Sequence, residues 1–136
     1  MDHSRIALGV QQPWAELILQ GIKTIEVRTR STKIRGPVYL YASKTFSRHP
    51  QAQEVIEEYS LDMASLPSGL IVGQFELYDC RELRPSDAKA SCISAEGLTD
   101  CYAWELRNPK RLEQPVPPGY LPYGIWFYPF ERRGNS

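Results

Sequence analysis

Between Pro13 and Arg28 the chain reads PWAELILQGIKTIEVR, and its apolar period changes there from that of a helix to that of a strand, with a glycine near the joint. Trp14, Leu17 and Ile18 fall at i, i+3 and i+4, which makes one apolar stripe. Pro13 suits the first helical position because its φ is fixed and it has no N–H to leave unpaired. Gly21 is placed to end the helix in a left-handed cap. Beyond it, alternation from Thr24 to Arg28 sets Ile25 and Val27 on one face and Thr24, Glu26 and Arg28 on the other. The helix is too short to stand alone and must dock. The strand then brings three charges, Lys23, Glu26 and Arg28, up against it.

The rest of the pattern is mostly strand. Ile6, Leu8 and Val10 alternate with small residues, and VYLYAS (38–43) alternates with both faces partly covered. Pro50 starts a helix through Tyr59, with Ala52, Val55, Ile56 and Tyr59 inward and the glutamates outward. LDMASLPSG (61–69) reads as a loop. GLIVGQFELYDC is the longest strand, and its interior Gly73 points to a bulge or bend. RPSDAKASCISAEGLT (84–99) reads as a turn of helix and a loop. DCYAWELRNP is a strand ended by Asn108-Pro109, EQPVPPGYLPYG an extended connection, and GIWFYPF the closing strand. About five strands with two solid helices, mostly not in βαβ order, favour a small mixed barrel over a doubly wound sheet.

At 136 residues the chain fits one domain, residues 1–136, with room for a real core. No apolar run reaches the roughly 18 residues needed to span a bilayer, and the N-terminus lacks the pattern of a cleaved signal. We therefore expect a soluble, cytoplasmic protein. Cys80, Cys92 and Cys101 form no CxxC pair, and His3 and His49 form no HExxH or His-Cys cluster, so neither a metal site nor a cofactor is expected. Net charge is formally zero but unevenly spread: Lys23, Arg28, Arg30, Lys33, Arg35, Lys44 and Arg48 face a single acid, Glu26, between residues 22 and 48. Acid collects in Glu54, Glu57, Glu58 and Asp62. A second basic group is Arg107, Lys110, Arg111, Arg132 and Arg133. These are either ordinary solvated faces or the footprint of an anionic ligand.

Taken together, QQPWAELILQGIKTIEVRTR, GPVYLYASK, VGQFEL, YAWELRNPKRLEQPVP and GIW resemble, in order, the segments of the ASCH domain family, a branch of the PUA-like superfamily. Gly21, Lys23, Glu26 and Arg28 match its GxKxxExR signature. The resemblance implies an α+β fold: a bent mixed barrel of about five to six strands, with two or three helices over one opening and the GxKxxExR side chains in a cleft beside the first helix. It also implies a nucleic-acid-binding module, most often for RNA. A few small members are enzymes, either amidohydrolases of N4-acylated cytidines or ribonucleases.

The residue chemistry agrees with a binding cleft. Glu26 and Arg28 lie two apart on one strand face, about 7 Å root to root, and can hold each other in fixed rotamers. An ionised Glu26 suits the exocyclic amine of cytosine or adenine, and Arg28 offers a planar fork to a base edge or phosphate. Lys23, in the turn before the strand, reads as a mobile charge for a phosphate at the cleft rim. Gln12 lies beside the backbone N–H groups of the helix start, which favour an anion. Ser43 and Lys44, at the end of a neighbouring strand, are further candidate binding residues. Tyr39, Tyr41, Trp104, Trp126 and Tyr128 could stack a base, although strand aromatics also build cores, and Trp14 reads as core. The competing reading of Lys23, Glu26 and Arg28 is a structural ion-pair network at the barrel mouth. A protein partner would draw on the apolar tail, PVPPGYLPYGIWFYPF, which reads better as barrel wall.

One departure weighs against catalysis. In the amidohydrolase members the motif lysine is followed three positions later by a threonine nucleophile, with a glutamate downstream; here that position is Glu26. Carboxylate attack on an amide would give a mixed anhydride, a high-energy intermediate. If the chain is an enzyme, Glu26 would act as base toward water and Lys23 would stabilise the oxyanion, with Thr24 and Glu96 as weaker candidates.

Overall fold

The computed structural model describes residues 1–131, so Arg132 and Arg133 of the second basic group lie outside the described residues. Six strands, β1 (Ala7–Val10), β2 (Ile25–Arg28), β3 (Gly36–Ala42), β4 (Leu70–Glu82), β5 (Tyr102–Val116) and β6 (Trp126–Phe127), form one mixed sheet in the order β2-β5-β4-β3-β1-β6. β1 and β3 run parallel, and the other pairings are antiparallel. Among the described residues three α-helices accompany them: α1 (Trp14–Leu19), α2 (Pro50–Glu58) and α3 (Ala88–Ser91). Among the described residues no helix is long and apolar enough to cross a membrane.

The sheet is curled into a half-barrel. Trp104 of β5 stacks on Trp126 of β6 at 5.6 Å between ring centroids and 17° between planes, although the two strands sit near opposite ends of the strand order. Arg28 on the β2 edge donates through Nη2 to the Gly9 carbonyl of β1 at 3.0 Å. Side chains thus bridge the seam that backbone pairing leaves open. Inside lies a core of Leu8, Val10, Leu17, Ile18, Val38, Leu40, Phe75, Leu77 and Trp104, all buried. Each such aliphatic side chain contributes about 1.5–3 kcal/mol relative to exposure.

Gly21 takes φ +76°, and its N–H bonds the Ile18 carbonyl, closing α1 as its position after the apolar stripe suggests. Gly73 sits at a register shift on both sides of β4, between Leu40 and Tyr41 of β3 and between its own Ile71 and Gly73 against β5.

Two boundaries and one burial pattern differ from the sequence reading. β5 does not stop at Asn108-Pro109 but continues to Val116. Asn108 adopts φ +54°, and the pair bulges out between Arg107, opposite Glu76, and Lys110, opposite Gln74. Proline lacks a ladder donor, and a bulge is one of the places in a strand where none is needed. GIWFYPF supplies only the two strand residues of β6, the residues before them forming a loop. In α2, Ala52 and Val55 are buried, but Ile56 and Tyr59 are only half so.

Candidate functional site

The end of β1, the start of α1, β2 and the loop before α2 enclose two adjoining hollows of about 360 Å³ each, which share Gln11, Trp14 and Glu26. One extends over Lys23, Val27, Ser47, Arg48, His49 and Ile93; the other over Gly9, Val10, Arg28, Ser43 and Ile125. Each lies at the small end of the range for ligand sites.

Glu26 stands between them. Its Oε2 accepts from both Arg28 Nε (2.9 Å) and Arg28 Nη2 (2.7 Å). Its Oε1 lies 3.5 Å from Lys23 Nζ, an ion pair longer than a good hydrogen bond. Arg28 also spans Trp104, its guanidinium 5.7 Å from the ring centroid. That leaves Arg28 Nη1 without a hydrogen-bond partner among the described residues, on a side chain that is 21% exposed. Glu26 Oε1 and Arg28 Nη1 are therefore the least committed polar atoms of this pair.

Lys23 is not a mobile charge at the rim. It is 3% exposed, its Nζ donates to the Ser91 carbonyl at 2.6 Å, and it lies 5.3 Å from the Trp14 ring centroid. α3 folds over β2 and makes this happen, with Thr24 N–H bonding the Ala90 carbonyl. Burial holds the Lys23 ammonium below the usual lysine range, against the attraction of Glu26. The unfolded chain consequently binds this proton more tightly, so stability should rise with pH between the lowered folded value and the ordinary 10.5. Denaturant titrations from neutral pH up to that limit should show the rise in the wild type and not in Lys23→Met. Equal slopes in the two proteins would refute it.

Of the residues singled out in the sequence, Lys23, Glu26, Arg28 and Ser43 come together in this cleft, and four others do not. Gln12 is fully buried; its Oε1 accepts from Glu16 N–H at 2.9 Å and its Nε2 donates to the Pro67 carbonyl at 3.1 Å. It braces α1, and its neighbour Gln11 lines the cleft instead. The anion site at the helix start also falls away, because Ala15 and Glu16 N–H groups are already bonded to Gln11 and Gln12. Lys44 is exposed and runs along Gly69, outside both hollows. Thr24 faces a separate small hollow with Ile18 and Arg107, and Glu96 lies exposed in the loop after α3. Val27, read as core, is half-buried and forms part of the cleft wall, whereas Glu26 is the buried one at 7%.

The aromatic wall is Trp14, which is part of the core as its stripe indicates and also stands edge-on to His49 at 5.9 Å and borders both hollows. Tyr39, Tyr41 and Trp104 are buried, and Tyr39 donates its hydroxyl to the Asp2 carbonyl. Arg48 and His49 were missed as site residues. His49-Pro50 could have flagged them, since His49 caps α2 by accepting from Gln51 N–H through Nδ1 at 3.0 Å. Among the described residues no group of three His, Cys, Asp or Glu side chains is placed to hold a metal.

The model of the family described as ASCH domain matches residues 8–116. The chain belongs to the ASCH domain family. Its fold is PUA-like, a kind often associated with RNA binding. Activating signal cointegrator 1 of Homo sapiens is 30% identical to this ASCH chain over 118 residues, and that of Mus musculus is 29% identical. Each alignment covers 77% of this chain and 19% of the relative, so the chain spans only that fifth or so of the curated proteins it matches. A crystal structure of ASCH from Zymomonas mobilis superposes with a TM-score of 0.62 at 15% identity, covering 93% of this chain and 88% of that one. A mutant form of it gives 0.60 at 14% identity, covering 92% of this chain and 89% of that one. These structures share the fold.

Proposed function

We propose that this ASCH domain binds a nucleotide or a single-stranded RNA segment by taking one unstacked base into the cleft beside Trp14. The reading is carried by Glu26 Oε1, an acceptor on a carboxylate that Arg28 braces through its other oxygen, in a cleft bordered by Trp14. An exocyclic amine, such as cytosine and adenine carry, would donate to that oxygen. Trp14 supplies an apolar face, and Arg48 at the mouth supplies charge for a phosphate. Lys23 acts in this reading from below, fixing the Glu26 carboxylate rather than touching phosphate.

Single strands should bind and duplexes should not, because hollows of this size take a flipped base and not a helix. With few phosphates in reach, the log–log salt slope should be shallow, about −1 to −3. Glu26→Gln keeps an acceptor and should weaken binding only modestly. Equal affinity for duplex and single strand, or none for either at low salt, would remove the proposal.

A hydrolase acting in the same cleft, on an N4-acylated cytidine or on RNA, is the second reading, and the buried Lys23 beside Glu26 is the observation that favours it. Incubation with N4-acetylcytidine and with short RNAs should release no acetate and cut no strand. Turnover lost in both Glu26→Gln and Lys23→Met would promote the hydrolase instead, since a general base contributes about 10²–10⁴ in rate.

A further inference from the structure

Residues 114–130, QPVPPGYLPYGIWFYPF, carry no charge. Within them the loop before β6 holds out a cluster of large apolar side chains: Tyr123 is 89% exposed, Leu121 67%, Ile125 47% and Tyr120 45%. Single exposed apolar residues need no explanation, but a cluster does. The loop is tied at both ends. Gly119 and Tyr120 N–H groups donate to the Pro129 carbonyl at 2.7 and 3.0 Å, and Gly9 N–H donates to the Ile125 carbonyl at 2.8 Å.

These ties set the cluster at the cleft mouth. Ile125 lines the hollow that contains Arg28, and Tyr123 is two residues away, within about 7 Å along the chain. Gly9 lies between Ile125 and Ser43, both within 4 Å of where its Cβ would stand, and the exposed Arg48 lines the adjoining hollow. The mouth therefore has a neutral, aromatic side and a basic side. A protein partner would need about 800 Å² from each surface, which four side chains on one loop do not supply. A strand of bases needs only aromatic faces at its own spacing, with phosphates turned toward cations.

Resting on the cleft reading above, we infer that the 120–125 loop is a stacking platform for the nucleotides flanking the base in the cleft, with Tyr123 its principal contact. It makes the ligand a short single strand rather than a free mononucleotide.

The test measures affinities of wild type, Tyr123→Ala and Tyr123→Phe for three kinds of probe: 5′-CMP and 5′-AMP, the pentamers rC5 and rA5, and pentamers with one central base and abasic flanks. The abasic probe keeps the phosphates and removes the flanking bases. Stacking on one aromatic is worth about 5- to 100-fold by alanine substitution. The intact pentamer should therefore bind about 10-fold or more tightly than the abasic one in the wild type and in Tyr123→Phe. Tyr123→Ala should erase that gap while leaving the mononucleotide affinity unchanged. A mononucleotide that binds while the two pentamers bind alike overturns the platform and leaves the cleft standing. So does a gap that Tyr123→Ala fails to alter, which would return the loop to a protein partner. A wild type with no affinity for any probe overturns the cleft reading and the platform with it.

Discussion

Glu26→Ala should destabilise the domain by about 3–5 kcal/mol, the cost of stripping a buried ion pair of one partner. In the wild type the carboxylate lies between Lys23, 3% exposed, and Arg28, and both cations lose their counter-charge together. For a chain of this size the melting temperature should fall by about 10 °C or more. Lys23→Met is the contrasting variant. It removes the buried charge, keeps the length and leaves Glu26 on the Arg28 fork, so its loss should stay within about 1 kcal/mol. A Glu26→Ala protein that melts with the wild type would show that Lys23 finds other compensation. Ligand affinity measured on both variants then separates bracing from recognition, since only Glu26 offers an oxygen to a base.

Gly73→Ala should do comparable damage by a different route. A Cβ at this position would approach the Lys110 carbonyl oxygen to 2.4 Å and Leu19 Cδ2 to 2.5 Å, with Arg111 Cα at 3.3 Å. Leu19 could turn away, but the Lys110 carbonyl is backbone of β5, paired there with Gln74 of β4. The register shift around Gly73 would have to be rebuilt, at about 3 kcal/mol or more by the scale of overpacked cores. Thermal or urea unfolding of the alanine variant measures this, and an unchanged transition would mean the two strands have slack that the close approach conceals.

The residue pattern carried the elements well where local chemistry decides them. Pro13, the Trp14-Leu17-Ile18 stripe and Gly21 locate α1, and Gly73 announces its bulge, because each is a backbone requirement written into one residue. Asn108-Pro109 misled for the same reason. The pair breaks a strand locally, but the β4 partner on the other side carries the ladder past it. In the site, the spacing of Glu26 and Arg28 was enough to foresee their mutual bond. It could not foresee that Lys23 is buried, because the cover comes from Ser91 and α3, distant in sequence. Nor could periodicity tell Gln11 from Gln12, or show that Trp14, core as its stripe indicates, borders a cleft as well. A stripe says which side of a helix is apolar, and tertiary packing decides whether that side meets core or ligand.

The strand order has a kinetic side. β2, which carries Glu26 and Arg28, is an edge strand whose only backbone partner in the sheet among the described residues is β5, with Glu26 opposite Trp104. During synthesis the motif leaves the ribosome well before the β5 residues that it pairs with. β1 and β3 can meet long before that. Contacts this distant in sequence form late, after the loop-closure entropy has been met. The motif's strand therefore cannot be paired before β5 has been made, and a nascent chain halted before Tyr102 would present the motif's charges without the strand they pack against.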